Sequence, residues 1–421
     1  MSVFTFRSYD FSPSTKTATF TYAYDNYTYK EQVTFQEVKD VYDEAVFERA
    51  LFLSFVLIGI SYYKAFPTKE VSFEQGKLSD WQASFFEKVY QEGLSQYAFE
   101  NKLSRQDLAH FTPTVRDQEV QPFRYRGSGV LSLQSGGKDS LLVAQMLDYK
   151  KTPFTSFYVS SSDSYPRVID RLGRPVLVAR RSIDIPALRR AAEAGGLNGH
   201  VPVTYIVQSI GLLQAILYGD SVVLSAIGHE GEEPHAWIAD LPVNHQWSKT
   251  WQAEKLFAEY IRLIISPDIR VGSPVREYSE LTIVEHFVQL AWEKYGEAFS
   301  SCNVANYQQG AKNQNLRWCG QCPKCANSYL LFSPFVDSHR LQSLFGGDLY
   351  VRDGLTETFK GLLGIDGVMK PFECIGEIDE LRYAYHAGQQ RGGYASLPFV
   401  VPMSTFDPSV RYPAQDFSDL A

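Results

Sequence analysis

The stretch Ser135-Gly136-Gly137-Lys138-Asp139-Ser140 decides the fold of this chain. It follows an apolar run at residues 129–134 that is typical of a short buried strand, and it precedes residues 141–147, whose pattern predicts a helix. A glycine-rich turn between a strand and a helix places several backbone N–H groups at the positive end of the helix dipole. The sequence therefore predicts a phosphate-binding loop at residues 135–140.

The residue types of this loop suit a phosphate ligand. Its two glycines let the backbone approach phosphate oxygens and adopt unusual dihedral angles, and its two serine hydroxyls add hydrogen-bond donors. Lys138 can neutralise negative charge, and Asp139 can hold or position a magnesium ion. The alternative is a glycine-rich turn that holds no ligand.

The loop differs from the G-x-x-x-x-G-K-[ST] and G-x-G-x-x-G patterns. It resembles the PP-loop of the ATP pyrophosphatases, which split ATP into AMP and pyrophosphate and usually adenylate a substrate oxygen. The resemblance implies ATP and Mg²⁺ as cofactors and an α/β domain with a parallel sheet, similar to the adenine nucleotide α-hydrolases. The ATP-binding residues that it implies are Ser135, Gly136, Gly137, Lys138, Asp139 and Ser140.

The length, charge and apolar pattern of the chain limit which partners we expect. At 421 residues it is long enough for two or three domains, and its net charge of −8 argues against a broad nucleic-acid-binding surface. No charged segment followed by an apolar one opens the sequence, so we expect no secretory signal. The longest apolar run, residues 50–63, is shorter than the roughly 20 residues of a membrane span and predicts a buried core helix. We therefore expect no nucleic-acid or membrane partner and a cytoplasmic location.

The pattern of elements divides the chain into three predicted domains. Residues 1–33 alternate apolar and polar side chains and predict an antiparallel meander. With helices at 37–60 and 79–99, they form a predicted N-terminal α+β domain at residues 1–125. Strands then alternate with helices, which predicts a parallel sheet in a PP-loop domain at residues 126–300. The strands are predicted at 155–160, 175–179 and 221–227, and the helices at 186–195, 205–218, 248–265 and 279–295.

Four of the five cysteines lie within 24 residues, at Cys302, Cys319, Cys322 and Cys325. Four thiolates suit a tetrahedral zinc site, whereas three cysteines at two-residue spacing can also hold an iron–sulfur cluster. Four unrelated buried cysteines are the remaining alternative. We favour structural zinc in a C-terminal cysteine module at residues 301–421, with an extended surface tail after about residue 390.

Five segments beyond the loop make the resemblance more specific. They are residues 59–65 (GISYYKA), 198–204 (NGHVPVT), 243–249 (VNHQWSK), 317–325 (RWCGQCPKC) and 370–377 (KPFECIGE). Together they resemble the UDP-N-acetylmuramoyl-L-alanyl-L-glutamate epimerases, the MurL family, in which the position of Ser135 can carry glycine. The resemblance implies ATP-dependent conversion of the terminal L-Glu of UDP-N-acetylmuramoyl-L-Ala-L-Glu to D-Glu in peptidoglycan biosynthesis.

The residues that transfer protons and bind the substrate are predicted from type and position. His245 precedes a predicted helix, Glu230 follows a strand end, and Cys374 is the one cysteine outside the cluster. A capping histidine, a solvated glutamate and an inert buried cysteine are the respective alternatives. The catalytic candidates are His245, Cys374, Glu373 and Glu230. The substrate-binding candidates are Asn198, His200, Asn244, Gln246 and Lys249.

Two other classes of protein compete with the epimerase. One is another PP-loop adenylating enzyme, such as a nucleoside- or tRNA-modifying enzyme or an amide ligase. The other is a catalytically inactive zinc-ribbon binding protein. The net acidity of the chain weakens the first alternative for tRNA, and the intact Lys138-Asp139 pair weakens the second.

Overall fold

The structure, a computed structural model, describes residues 2–308 and 314–421. Its strands are β1 (Phe4–Ser12), β2 (Thr17–Tyr24), β3 (Tyr27–Phe35), β4 (Val71–Phe73), β5 (Val130–Leu133), β6 (Thr155–Ser160), β7 (Val176–Ser182), β8 (Val222–Leu224), β9 (Ala236–Ile238), β10 (Leu241–Val243) and β11 (Arg270–Gly272). Its helices are α1 (Glu44–Tyr63), α2 (Asp80–Glu92), α3 (Ser95–Glu100), α4 (Lys138–Tyr149), α5 (Ile185–Glu193), α6 (Val203–Tyr218), α7 (Trp251–Tyr260), α8 (Glu280–Leu290), α9 (Trp292–Tyr295), α10 (Pro323–Phe332), α11 (Ser338–Phe345), α12 (Thr356–Leu363) and α13 (Ile378–Arg391).

One nine-stranded sheet runs through the chain in the order β11-β8-β5-β6-β7-β3-β2-β1-β4. The strands from β11 to β7 are parallel to one another, whereas β7, β3, β2 and β1 pair antiparallel. The predicted α/β fold with a parallel sheet is therefore confirmed. Neighbouring residues of β5 face opposite cores: Val130 packs with α4 and the C-terminal helices, and Leu131 packs with α1 and α6. Helices thus cover both faces of the parallel strands.

The N-terminal meander extends this sheet. Strand β3 pairs antiparallel with β7, with Phe35 opposite Ala179, so the sheet continues past the predicted domain boundary near residue 125. The division into domains at residues 125 and 300 stays a prediction.

A buried ion pair holds the two parts of the sheet together. The Glu31 side chain is fully buried and accepts hydrogen bonds from Arg181 Nε and, at 2.7 Å, from the Tyr62 hydroxyl. Arg181 Nη2 also donates to Ser61 Oγ at 3.0 Å. The pair thus joins β3, β7 and the end of α1 in one polar network.

The predicted helix at residues 37–60 begins later, at Glu44, because the Asp43 carboxylate caps it by accepting from the Val46 N–H at 3.1 Å. Its apolar run forms a buried core helix as predicted. Among the described residues this is the helix long and apolar enough to cross a membrane, and 83% of its most apolar window lies inside the fold.

Three other sequence expectations differ from the structure. The predicted helix at 79–99 divides into α2 and α3 around Gly93, and the one at 279–295 divides at Ala291. The segment after α13 has no helix or strand, but it is more than a surface tail. Leu397, Val401 and Phe417 are buried against the second core, because the helices of that core leave apolar side chains for the segment to cover.

Replacement of Glu31 by alanine should lower the free energy of unfolding by up to about 3–5 kcal/mol, because it leaves the mostly buried Arg181 guanidinium without its counter-charge. Urea denaturation measures the change. Arg7→Ala is the matched control, since Arg7 and Glu74 are exposed and 3.8 Å apart; its effect should stay within about 0.5 kcal/mol. Equal stability of the two variants would contradict the role of this pair.

Candidate active site

The loop at residues 135–140 connects β5 to α4 at the carboxyl edge of the sheet. Gly136 has a φ of 76°, and a Cβ there would lie 2.7 Å from Leu316 Cδ1, so both backbone shape and space require glycine. The Ser140 hydroxyl accepts from the Ser135 N–H at 3.2 Å and the Ser135 hydroxyl accepts from the Gly137 N–H at 3.2 Å. The two serine side chains therefore fix the curve of the loop.

Lys138 is buried between two carboxylates. Its Nζ lies 2.6 Å from Asp139 Oδ1 and 2.7 Å from Glu280 Oε2, at the start of α8. Burial alone would lower the pKa of Lys138, but these two carboxylates raise it above its usual value. Burial in turn raises the pKa of Glu280, and Lys138 opposes that shift. Sequence reasoning missed Glu280; its position at a helix start just after the strand at 270–272 was the available signal.

The loop after β8 brings Glu230 to the same edge of the sheet. Glu230 is 5% exposed, and its carboxylate accepts from Lys249 Nζ at 3.0 Å. Burial alone would lower the pKa of Lys249, but its electrostatic interactions with Cys374 and Glu230 raise it. Lys249, predicted as a substrate ligand, therefore pairs with one predicted catalytic residue, Glu230, and interacts with a second, Cys374.

A fully buried guanidinium positions these loops. Arg276 Nη1 donates to the Gly228 carbonyl at 2.6 Å, and Arg276 Nη2 donates to the Lys249 carbonyl at 2.9 Å. Its Nε donates to Glu254 at 2.9 Å. Sequence reasoning missed Arg276, because an arginine with three distant partners carries no local pattern.

The segment at residues 370–378 carries Glu373 and Cys374 from the C-terminal part of the chain into the site. Two amide side chains hold its backbone: Gln246 Nε2 donates to the Ile375 carbonyl at 3.0 Å, and Asn327 Oδ1 accepts from the Gly376 N–H at 2.9 Å.

An ion pair, a backbone hydrogen bond and a further amide contact also hold this segment. Lys370 Nζ lies 2.6 Å from Glu233, which also accepts from the Ile378 N–H at 3.2 Å. Asn303 Nδ2 donates to Glu373 at 2.9 Å. Neither Glu233 nor Lys370 was among the predicted site residues.

Three histidines form a second part of the site. The rings of His200 and His245 lie 4.2 Å apart, and those of His235 and His245 lie 6.4 Å apart. Burial lowers the pKa of His200 and of His235 to about 3 and that of His245 to about 4. All three are therefore neutral at pH 7. His235 was missed by the sequence reasoning.

The remaining predicted substrate ligands take part in hydrogen bonds that hold backbone segments of the protein. Asn244 Nδ2 donates to the Gly231 carbonyl, and its Oδ1 accepts from the Gln246 N–H at 2.8 Å. The Asn198 carbonyl accepts from Asn101 Nδ2 at 3.0 Å. Asn244 and Gln246 thus shape the loop around His245, and their contact with a substrate stays a prediction, as does that of Asn198.

The four clustered cysteines converge as predicted. Their sulfur atoms all lie within 4.8 Å of one another, with 3.5 Å between Cys322 and Cys325 and 3.7 Å between Cys302 and Cys322. Backbone N–H groups point at the sulfurs, as from Gly320 to Cys325 at 3.3 Å. The cluster can hold a metal ion.

Comparison with known proteins identifies relatives over nearly the whole chain. Residues 1–271 match the MurL N-terminal domain, and residues 298–415 match the MurL C-terminal domain. A Salinispora tropica protein named UDP-N-acetyl-alpha-D-muramoyl-L-alanyl-L-glutamate epimerase is 33% identical, over 95% of this chain and 88% of its own length. Proteins of the same name from a Micromonospora species and from Xanthomonas oryzae pv. oryzae are 31% and 32% identical, over 100% and 80% of this chain and 94% and 74% of their own lengths.

An α/β sheet whose carboxyl edge gathers a glycine-rich loop and paired acids and bases defines an enzyme, and the names of the relatives put it among the epimerases, a class of isomerase. The chain belongs to the MurL family.

Proposed function

We propose that the enzyme epimerises the terminal L-Glu of UDP-N-acetylmuramoyl-L-Ala-L-Glu to D-Glu, in a reaction that consumes ATP and releases AMP and pyrophosphate. The names of its relatives support the substrate. We also propose a cytoplasmic location, since the substrate is a nucleotide-linked precursor and the reaction uses ATP.

One observation carries the ATP dependence: the glycine-rich loop and the candidate acids and bases share one edge of the sheet. Lys138 joins the loop to Glu280, and the charge of Glu230, the partner of Lys249, also acts on Glu280. A phosphate group at the N-terminus of α4 would therefore lie beside the groups that move protons.

The chemistry gives a reason for activation. The α-proton of a carboxylate is very weakly acidic, because its removal creates a dianion, and each pKa unit costs about 1.4 kcal/mol. When the α-carboxylate attacks the α-phosphate of ATP, pyrophosphate leaves and an acyl adenylate forms; its carbonyl no longer carries the carboxylate charge, so its α-proton is far more acidic. A base can then remove that proton and an acid can return one on the other face. Water finally releases AMP and the D-glutamate product.

The loop residues supply the ATP site in this proposal. Backbone N–H groups at the start of α4 would bind phosphate oxygens, and Lys138 would exchange part of its contact with Asp139 and Glu280 for the triphosphate. Asp139 offers the carboxylate oxygen that Mg²⁺ prefers. The bound ion would neutralise phosphate charge.

Candidate proton-transfer groups come from different elements, as inversion at one carbon requires. Glu230 follows β8, whereas Glu373 and Cys374 belong to the segment from the C-terminal part of the chain. Lys249 acts on both Glu230 and Cys374, so its ammonium would stabilise the negative charge that develops when the α-proton leaves. His245, whose pKa responds to Glu373, is the fourth candidate.

The cysteine cluster suits structural zinc. Four sulfurs at about 2.3 Å from one zinc ion lie about 3.8 Å apart in a tetrahedron, close to the observed separations of 3.5–3.7 Å. All four sulfurs lie within 4.8 Å of one another, which favours a single metal ion over a cluster of several irons and sulfides. Zinc would also fix Asn303, the neighbour of Cys302, which holds Glu373.

Asp139→Asn should abolish epimerisation while the protein stays folded, because it removes the charge proposed to hold Mg²⁺ and keeps the volume, and Glu280 still pairs with Lys138. The assay incubates protein, ATP, Mg²⁺ and UDP-N-acetylmuramoyl-L-Ala-L-Glu, followed by chiral analysis of the glutamate. Asp10→Asn, the same change at an exposed position, is the control and should have wild-type activity. Normal activity of Asp139→Asn would refute the assignment of the loop.

Metal analysis should find about one zinc per chain in the purified protein. Cys322→Ser should lose that zinc and melt at a lower temperature, because metal binding and folding are coupled. Cys374→Ser is the matched control and should retain the metal. A metal-free wild-type protein would contradict the zinc site, and a brown protein with visible absorption would indicate iron–sulfur instead.

A further inference from the structure

The histidine cluster, defined as His200, His235 and His245, has no carboxylate hydrogen-bonded to any of its rings among the described residues. His245 Nδ1 lies 2.6 Å from the neutral Gln96 Oε1. Neither ring nitrogen of His235 makes a hydrogen bond of good geometry within the described part of the chain, although the Pro371 backbone is close enough to affect its pKa. Buried polar atoms left in this way cost free energy unless a ligand satisfies them.

Charged groups on several elements act on the cluster. Burial is the largest cause of the low histidine pKa values; lysines lower the pKa of all three histidines further, while two glutamates oppose this at His245. The cations are Lys64 at the end of α1, Lys249 before α7, Lys324 on α10 and Lys370 before α13; the anions are Glu100 on α3 and Glu373.

Within residues 2–308 and 314–421, not all of these cations have a carboxylate partner. Lys249 and Lys370 pair with Glu230 and Glu233, but Lys64 Nζ donates to the neutral Gly199 carbonyl at 2.9 Å. Burial lowers the pKa of Lys64, which again indicates a cation without sufficient counter-charge. Gly199 is the neighbour of His200, so the Lys64 ammonium lies beside the cluster and would attract an anion there.

We infer that the histidine cluster and Lys64 bind an anionic group of the substrate, and that the cluster takes up a proton when this anion binds. The inference rests on the proposed function. A carboxylate or a diphosphate supplies the required chemistry, and the proposed substrate offers both: the side-chain carboxylate of its terminal glutamate and the diphosphate of its UDP. An imidazolium beside an anion makes a charge-assisted hydrogen bond.

The sign of the pH dependence follows from linkage. The free cluster is neutral down to about pH 4, and the bound anion favours the imidazolium. At a pH between the histidine pKa of the free cluster and that of the bound cluster, the complex therefore contains one more proton than the separate protein and substrate. For one proton, the dissociation constant should rise about tenfold for each unit of increasing pH in that range.

Isothermal titration calorimetry tests this directly. The substrate is titrated into the protein with Mg²⁺ and an ATP analogue that cannot be cleaved between the α- and β-phosphates, at pH 5 and at pH 7, each in two buffers of different protonation enthalpy. A nearby anion raises a histidine pKa by about 1–3 units, so the expected result is proton uptake at pH 5, up to about one proton per substrate bound, and smaller uptake at pH 7. His200→Asn and His235→Asn should each weaken binding and reduce the uptake, while His339→Asn, at an exposed position on α11, should match the wild type.

Titrations with two other ligands identify the anion. If a substrate ending in L-Gln binds without proton uptake, the glutamate carboxylate is the group bound; if UDP alone produces the uptake, the diphosphate is. Equal heats in both buffers at pH 5 for the wild type, or unchanged uptake in both histidine variants, would overturn the inference. Chiral analysis on the same preparation separates the two proposals: epimerisation without proton uptake refutes only this inference, and absence of both binding and epimerisation refutes the proposed function as well.

Discussion

The buried guanidinium of Arg276, which needs hydrogen-bond acceptors in several directions, determines the arrangement of the site. Arg276 is fully buried, and its three hydrogen bonds reach the loop after β8, the residue Lys249 and the α7 carboxylate Glu254. An unpaired charge at this depth would be very costly. The loops that carry Glu230 and Lys249 therefore have little freedom to move relative to each other. This rigidity holds an ammonium and a carboxylate in contact before any substrate arrives.

Polar contacts also position the C-terminal part of the chain in the site. Its segment at residues 370–378 enters the site through hydrogen bonds and an ion pair instead of through its own strand or helix. The cysteine cluster lies at the base of this arrangement, because Asn303 follows Cys302 and binds Glu373. A metal at the cluster would thus help to hold Glu373 in place. The C-terminal segment after α13 adds to it: Tyr412 stacks on His229, with ring centroids 3.4 Å apart.

Local sequence patterns were enough to predict the parts of the fold that depend on local chemistry. The loop at 135–140, the strand Thr155–Ser160 and the convergence of the four cysteines follow from turn chemistry, periodicity and spacing. Contacts over long separations were not predictable. Glu280 lies 142 residues from Lys138, and Glu233 lies 137 residues from Lys370. The late start of α1 was encoded locally, since Asp43 is a good capping residue, but the apolar run that follows concealed it.

We propose that activation of the carboxylate precedes removal of the α-proton. Hydrogen exchange at Cα in deuterium oxide tests it most directly, with mass spectrometry of the substrate and product glutamate. With ATP and Mg²⁺, the D-Glu product should carry deuterium at Cα. Without nucleotide, or with an ATP analogue that cannot be cleaved between the α- and β-phosphates, the L-substrate should keep its proton. Exchange at Cα in the absence of any nucleotide would contradict this order, because it would show that the α-proton next to the free carboxylate is already acidic enough in this site.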